Sequence, residues 1–116
     1  MDQHLMKKRT KDFALRILKV VTALPQTTEA KVIAYQLAKS GTSVGANYRA
    51  ACRARSNKEF TAKMGVVLEE ADETAFWLEL ITESNILSKS KIEPLLKEAN
   101  ELCAILFTTI NTSRKK

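Results

Sequence analysis

Hydrophobic residues recur at spacings of three and four along most of this chain, which is typical of helices that bury one side. The clearest case follows Ser56, because Ser56 and Glu59 form an S-x-x-E capping box that predicts a helix over residues 57–84. The residues of its buried stripe are Phe60, Met64, Val67, Leu68, Ala71, Thr74, Ala75, Leu78 and Ile81. This helix therefore has a well-defined core face.

The same helix carries hydrophobic residues partly outside that stripe, namely Val66, Phe76, Trp77 and Leu80. Its apolar surface is wider than a single packing contact requires. We predict that Phe76, Trp77 and Leu80 form an interface between subunits. Burial of the whole surface within one chain is the alternative.

The preceding segment is rich in small residues and contains Gly41 and Gly45. Glycine costs a helix about 1 kcal/mol relative to alanine, so a break near residues 40–43 is one interpretation. The hydrophobic spacing of Ile33, Leu37 and Val44 continues through the glycines, which favours one helix over residues 28–55 with a neighbour packed closely against it.

Two further helices complete the prediction, at residues 10–24, where Pro25 ends the pattern, and at residues 91–111, with Pro94 in the first turn. Residues 1–9 and 112–116 are interpreted as basic tails. Short connections make sequential helices antiparallel neighbours. The sequence thus predicts an all-α, up-down-up-down four-helix bundle, with residues 1–116 forming one domain.

The composition narrows the class of protein further. The chain has 116 residues, 45% of them hydrophobic, and a net charge of +6. It has no membrane-length apolar run and no secretory leader, so we expect a cytoplasmic protein without membrane contact. Cys52 and Cys103 are expected to be free thiols. The segment 56–87 is net acidic and the others are net basic, a pattern that can pair helices within or between subunits.

Catalytic residues are scarce. His4 is the only histidine and lies in the expected tail, so the usual general base is lacking. Glu69, Glu70, Asp72 and Glu73 suggest a metal site, but a di-iron bundle also needs Glu-x-x-His pairs. We expect no catalytic residue, metal, cofactor or small-molecule substrate. We interpret these carboxylates as a solvated helix face. In this face, Glu69 and Glu70 would pair with nearby cations such as Lys63, Arg49 or Arg53.

Basic residues gather around the turn between the second and third helices: Arg49, Arg53, Arg55, Lys58 and Lys63. These are the predicted nucleic-acid-binding residues, since such a cluster can neutralise phosphates. A solvated surface is the alternative, because no helix-turn-helix, zinc-finger or RNA-recognition signature is present. The lysine-rich ends would add to the same positive field.

A long ordered match to a known family runs from Gln36 to Ile81. Its pieces are Gln36-Leu37, Ser40-Gly41-Thr42-Ser43-Val44-Gly45-Ala46-Asn47-Tyr48, Ser56, Glu59-Phe60, Lys63 and the stretch from Glu69 through Trp77-Leu78. This stretch resembles the bacterial four-helix-bundle family of 23S rRNA intervening-sequence proteins. The first and last helices match mainly in pattern.

The resemblance implies an antiparallel four-helix bundle that assembles into a ring-like homo-oligomer, with a pentamer expected, and it implies no enzyme activity. The family is also similar to accessory proteins of diversity-generating retroelements, basic rings thought to engage nucleic acid and a reverse transcriptase. We therefore expect a non-enzymatic homo-oligomer that binds RNA or DNA through its basic surface. A protein-interaction scaffold using the Phe76–Trp77–Leu80 surface is the alternative, and a metal-dependent enzyme is the third.

Overall fold

Four helices make up the computed structural model, which describes residues 2–116: α1 (Gln3–Ala23), α2 (Thr28–Cys52), α3 (Asn57–Glu83) and α4 (Lys89–Arg114). No strand occurs in that range. The helices form an elongated bundle of 47 × 20 × 20 Å. Helices adjacent in sequence pack extensively, whereas α1 and α4 share a narrow contact. The predicted all-α four-helix bundle is confirmed.

Side-chain caps determine where α2 and α3 begin. Ser56 Oγ accepts the Glu59 N–H at 3.0 Å, as the capping box predicts, and Thr27 Oγ1 accepts the Ala30 N–H at 3.2 Å. Ser88 precedes α4 without a side-chain hydrogen bond. Local hydrogen bonding thus determines the starts of α2 and α3 as the sequence indicates.

The helix α1 begins earlier than predicted. The Asp2 carboxylate accepts the His4 N–H at 2.8 Å, and Met6 is 1% exposed within the core. Met6 extends the helical spacing of Thr10 and Phe13 by one turn, so the segment expected to be a basic tail is helical from residue 3. Met1, the first residue of that expected tail, lies outside the described residues.

None of the helices within residues 2–116 has the length and hydrophobicity needed to cross a bilayer.

The helix α2 continues through its glycines, as predicted, and ends at Cys52 instead of Arg55. The Arg53 and Ala54 N–H groups bond to carbonyls three residues back, which tightens the last turn and frees the chain to reverse toward Ser56. At its C-terminal end, α4 continues past residue 111 to Arg114. Part of the expected C-terminal tail is therefore helical.

The glycines of α2 face α1 at very short range. A Cβ added to Gly41 would lie 2.7 Å from Ile17 Cγ2, and a Cβ added to Gly45 would lie 3.3 Å from the Thr10 carbonyl oxygen. Both neighbours are fully buried. The absence of side chains is therefore what lets the two helices approach so closely.

Ion pairs of Arg9 with Glu98 and Glu101 bridge the contact between α1 and α4. Arg9 donates from Nε and Nη2 to the two carboxylate oxygens of Glu98, both at 2.8 Å, and from Nη2 to Glu101 at 3.1 Å. The Glu98 side chain is 15% exposed. The hydrogen bonds from Arg9 lower the pKa of Glu98, outweighing the opposing effect of burial. This bidentate pair is the main polar link across the narrow contact.

A pair of glycine substitutions tests the close contact between α1 and α2. Gly41→Ala should lower the free energy of unfolding by about 1 to 3 kcal/mol, because the branched and buried Ile17 side chain has no space to move. Gly65→Ala is the matched control in α3, where an added Cβ meets nothing within 4 Å. It should raise stability by about 1 kcal/mol through helix propensity. Urea denaturation measures both, and equal effects would contradict the close packing.

The Arg9–Glu98 pair should make stability depend on pH. Glu98→Gln should lower the free energy of unfolding by about 1 to 2 kcal/mol at pH 7. The folded-state pKa is lowered, so the contribution of the pair is present above the unfolded glutamate value of about 4.3 and is lost as the pH falls through the folded-state value.

Denaturation at pH 7 and at about pH 3 measures this difference between Glu98→Gln and the unchanged protein. The control is Glu93→Gln, which breaks an exposed pair with Lys89 at 3.6 Å and should change stability by less than about 0.5 kcal/mol. A Glu98→Gln effect that is the same at both pH values would contradict the role of the ion pair.

Candidate nucleic-acid interface

Antiparallel packing brings the start of α1, the α2–α3 turn and the end of α4 to the same end of the bundle. Asn57 Nδ2 donates to the Ser113 carbonyl at 2.8 Å, and Thr61 and Ser113 hydroxyls are also hydrogen-bonded, which ties the start of α3 to the end of α4. The basic end, as we call it, carries cations from all four helices: Lys7, Lys8, Lys11, Arg49, Arg53, Arg55, Lys58, Lys63, Arg114, Lys115 and Lys116.

Two of these cations have acidic partners, and Arg9, which lies between Lys8 and Lys11 on α1, is paired with Glu98 and Glu101. Lys8 pairs with Asp12 at 2.8 Å, and Lys63 lies 4.0 Å from Glu59, so Lys63 does not use the partners Glu69 or Glu70 that we expected. The other cations of the basic end have no carboxylate within 4.0 Å among residues 2–116. Most of the positive charge at this end is therefore available to an external anion.

The structure divides the five predicted binding residues between different surfaces. Arg49 and Arg53 line a groove between α1 and α2, and Lys58 lines a separate groove between α3 and α4. Arg55 lies in the turn that joins α2 and α3. Lys63 makes the intrahelical pair with Glu59. The five residues share one end of the bundle but do not form one site.

The α1–α2 groove is the more uniformly basic of the two. It has a volume of about 600 Å³ and is lined by His4, Lys7, Lys8, Lys11, Ala14, Thr42, Gly45, Ala46, Arg49 and Arg53. No acidic residue lines it. From the sequence, Lys7 and Lys8 were assigned to the tail and Lys11 to the lysine-rich N-terminal end, and the groove was not predicted. The available signal was spacing, because Lys7 and Lys11, like Arg49 and Arg53, are one helical turn apart.

The α3–α4 groove is larger, about 800 Å³, and chemically mixed. Lys58, Arg114 and Lys116 supply positive charge, while Glu69 is acidic and Phe107, 58% exposed, is apolar. The hydrogen-bonded cluster of Asn57, Thr61 and Ser113 lies at its edge. This cluster was not predicted from the sequence, because Ser113 is more than 50 residues away from Asn57 and Thr61.

The predicted interface residues lie on the outer surface of α3. Phe76 is 51% exposed, whereas Trp77 and Leu80 are half-buried and pack partly against the chain's own core. The Phe76 and Trp77 rings meet edge to face with centroids 5.0 Å apart, and Trp77 Nε1 donates to Glu73 at 3.1 Å. Val66, 45% exposed, adds to the uncovered apolar surface.

Other reactive groups are held in structural environments. Within residues 2–116 no three His, Cys, Asp or Glu side chains are grouped as metal ligands. Cys52 and Cys103 are free thiols, as predicted. Burial, together with the nearby charge of Asp72, raises the pKa of Cys103. Burial also raises the pKa of Tyr48, with a further contribution from Cys52.

A family model described as 23S rRNA-intervening sequence protein matches residues 2–108 of this chain. The chain belongs to this family. The match covers α1, α2, α3 and most of α4, so the resemblance first visible in residues 36–81 extends across the bundle. No curated protein sequence matches the chain.

Among solved structures, the family member is similar to a crystal structure from Bacteroides thetaiotaomicron, determined at 1.70 Å resolution. That structure is of a protein with unknown function from the S23 ribosomal protein family. The two share 33% sequence identity and superpose with a TM-score of 0.83, covering 90% of this chain and 96% of the other. The fold is therefore shared along nearly the whole length.

Proposed function

We propose that this member of the 23S rRNA-intervening sequence protein family is a non-enzymatic, cytoplasmic homo-oligomer that binds RNA or DNA through its basic end. The observation that carries the proposal is the gathering of cations from all four helices at that end, most of them without a carboxylate partner in the described chain. Unpaired cations at a protein surface attract phosphates, and binding releases the counterions that had been condensed on the nucleic acid.

The opposite end of the bundle has a different charge distribution. The end of α1, the start of α2, the end of α3 and the start of α4 meet there, with acidic and basic residues interspersed: Arg16, Lys19, Glu29, Lys31, Glu79, Glu83, Lys89, Lys91 and Glu93. A polyanion is therefore attracted to one end of the molecule and not to its whole surface.

The proposed assembly uses the outer surface of α3. Phe76 and Val66 are exposed hydrophobic residues on a helix whose buried face is already occupied, and exposed apolar patches of this kind are typical of interaction sites. The acidic residues of α3 would then meet the basic surface of a neighbouring subunit. The pentameric ring expected from the resemblance is the form we propose, and it would bring several basic ends together.

A protein-interaction scaffold without a nucleic-acid role is the second candidate. The exposed ring of Phe76 and its contact with Trp77 favour it, because large aromatic side chains are frequent anchors of protein interfaces. In this case the same α3 surface would hold a partner protein, and the basic end would serve solubility alone.

Nucleic-acid binding should depend steeply on salt. Filter binding of labelled RNA and DNA should give measurable affinity at low ionic strength. If about four phosphates are contacted, the affinity should fall between 50 and 200 mM salt by about 50-fold for a single strand and by about 150-fold for duplex DNA. Absence of binding at the lowest salt would contradict the nucleic-acid role and leave the scaffold as the better proposal.

The subunit interface should respond to a change at Phe76. Phe76→Gln should reduce the mass of the assembly in solution, since it removes an exposed ring without opening the core of the subunit. Light scattering coupled to gel filtration measures the mass. The matched control is Tyr35→Gln, which changes a 66% exposed ring on α2. A mass that falls with Tyr35→Gln instead would assign the interface to a different surface.

A further inference from the structure

We infer that the α1–α2 groove is the site that holds the phosphate backbone of a single nucleic-acid strand, without reading its base sequence. This inference rests on the proposed function and goes beyond it, because it selects one of the two grooves, four principal residues and one class of nucleic acid. Two of the four, Lys7 and Lys11, lie outside the cluster at the α2–α3 turn.

Two rows of cations face each other across this groove. Lys7 and Lys11 are one turn apart on α1, and Arg49 and Arg53 are one turn apart on α2. The lining residues on α2 run from Thr42 to Arg53, which is about 16 Å at the helical rise of 1.5 Å per residue. The lining places positive charge on both sides of the groove near the basic end, where Arg49 and Arg53 lie, and this charged part is suited to a short run of phosphates in an extended strand.

Close helix packing lies beneath the two rows of cations. Gly45 forms part of the groove floor, and its position next to Thr10 allows α1 and α2 to approach where the cations begin. The rest of the floor consists of short side chains, Ala14, Thr42 and Ala46, which leave the channel open. Like charges are thereby held near one another without a lining carboxylate, and a bound phosphate would relieve their repulsion.

The α3–α4 groove is less suited to the same ligand. Its lining includes the carboxylate of Glu69, which repels phosphate, and the apolar side chains of Leu68 and Phe107. Its cations are fewer than those of the α1–α2 groove. Charge and lining chemistry therefore both favour the α1–α2 groove.

The lining also indicates how the strand is recognised. No Phe, Tyr or Trp side chain lines the α1–α2 groove, so bases have no aromatic platform on which to stack. Arginine presents a planar fork that bonds phosphate oxygens in pairs, and lysine adds a point charge. Binding through these groups senses the backbone, so affinity should vary little with base sequence.

Fluorescence anisotropy with a labelled single-stranded DNA oligonucleotide tests the site. Arg49→Gln combined with Arg53→Gln should weaken binding by at least about tenfold and reduce the salt slope by about 1.4, the value for two lost contacts to a single strand. Lys7→Gln combined with Lys11→Gln should act similarly. All four residues are exposed and lack ion-pair partners in the described chain, so the variants should fold, which circular dichroism checks.

The matched control is Lys31→Gln combined with Lys39→Gln. Both lysines are exposed on α2, neither lines the groove, and the change in net charge is the same. Binding should stay within about twofold of the unchanged protein. Equal weakening by this control would overturn the groove assignment in favour of a general charge effect, while leaving nucleic-acid binding intact.

Further variants and ligands in the same assay distinguish this site from the alternative sites and partners. Stronger loss with Lys58→Gln and Arg114→Gln would assign the strand to the α3–α4 groove and overturn the inference. Tighter binding to duplex DNA, or a large preference for one base sequence, would overturn the single-strand or backbone assignment. Displacement of the strand by poly-glutamate at equal charge concentration would favour an acidic protein partner. No binding by any form at low salt would contradict the proposed function itself.

Discussion

The contact between α1 and the glycine face of α2 determines much of what this bundle can do. Ile17 and Thr10 pack directly on the backbone of α2 at positions where a side chain would collide or press against them. This register aligns the basic turns of α1 with those of α2. The close α1–α2 contact thus both requires small residues on α2 and brings the positive charges of the two helices together.

The sequence predicted the architecture well because hydrophobic spacing and capping are local signals. Ser56 with Glu59 specified the start of α3, and the spacing of Leu37 and Val44 carried α2 through its glycines. The ends were harder to predict. Asp2 is a capping residue and Met6 is buried, but the lysines that follow Met6, Lys7 and Lys8, suggested a tail. Burial of Met6 depends on contacts with other helices, which local composition does not reveal.

The candidate site was predicted in part. Arg49 and Arg53 stood out as a helical pair, but assigning Lys58 to a different groove required the three-dimensional arrangement of the four helices. The opposing row on α1 was hidden for the same reason, since about forty residues of sequence separate Lys7 and Lys11 from their counterparts on α2. Charge clustering in sequence therefore located the basic end of the bundle without resolving its surfaces.

The unequal seams of the bundle have a consequence for its motions. α3 is held on two sides by extensive packing, whereas α1 packs extensively against α2 and meets α4 in a narrow contact whose main polar link is Arg9. Local opening follows the joint with the fewest buried contacts. α1 and α2 together would therefore swing as one flap about the α2–α3 contact, keeping the groove between them intact while the interior opens along the Arg9 side.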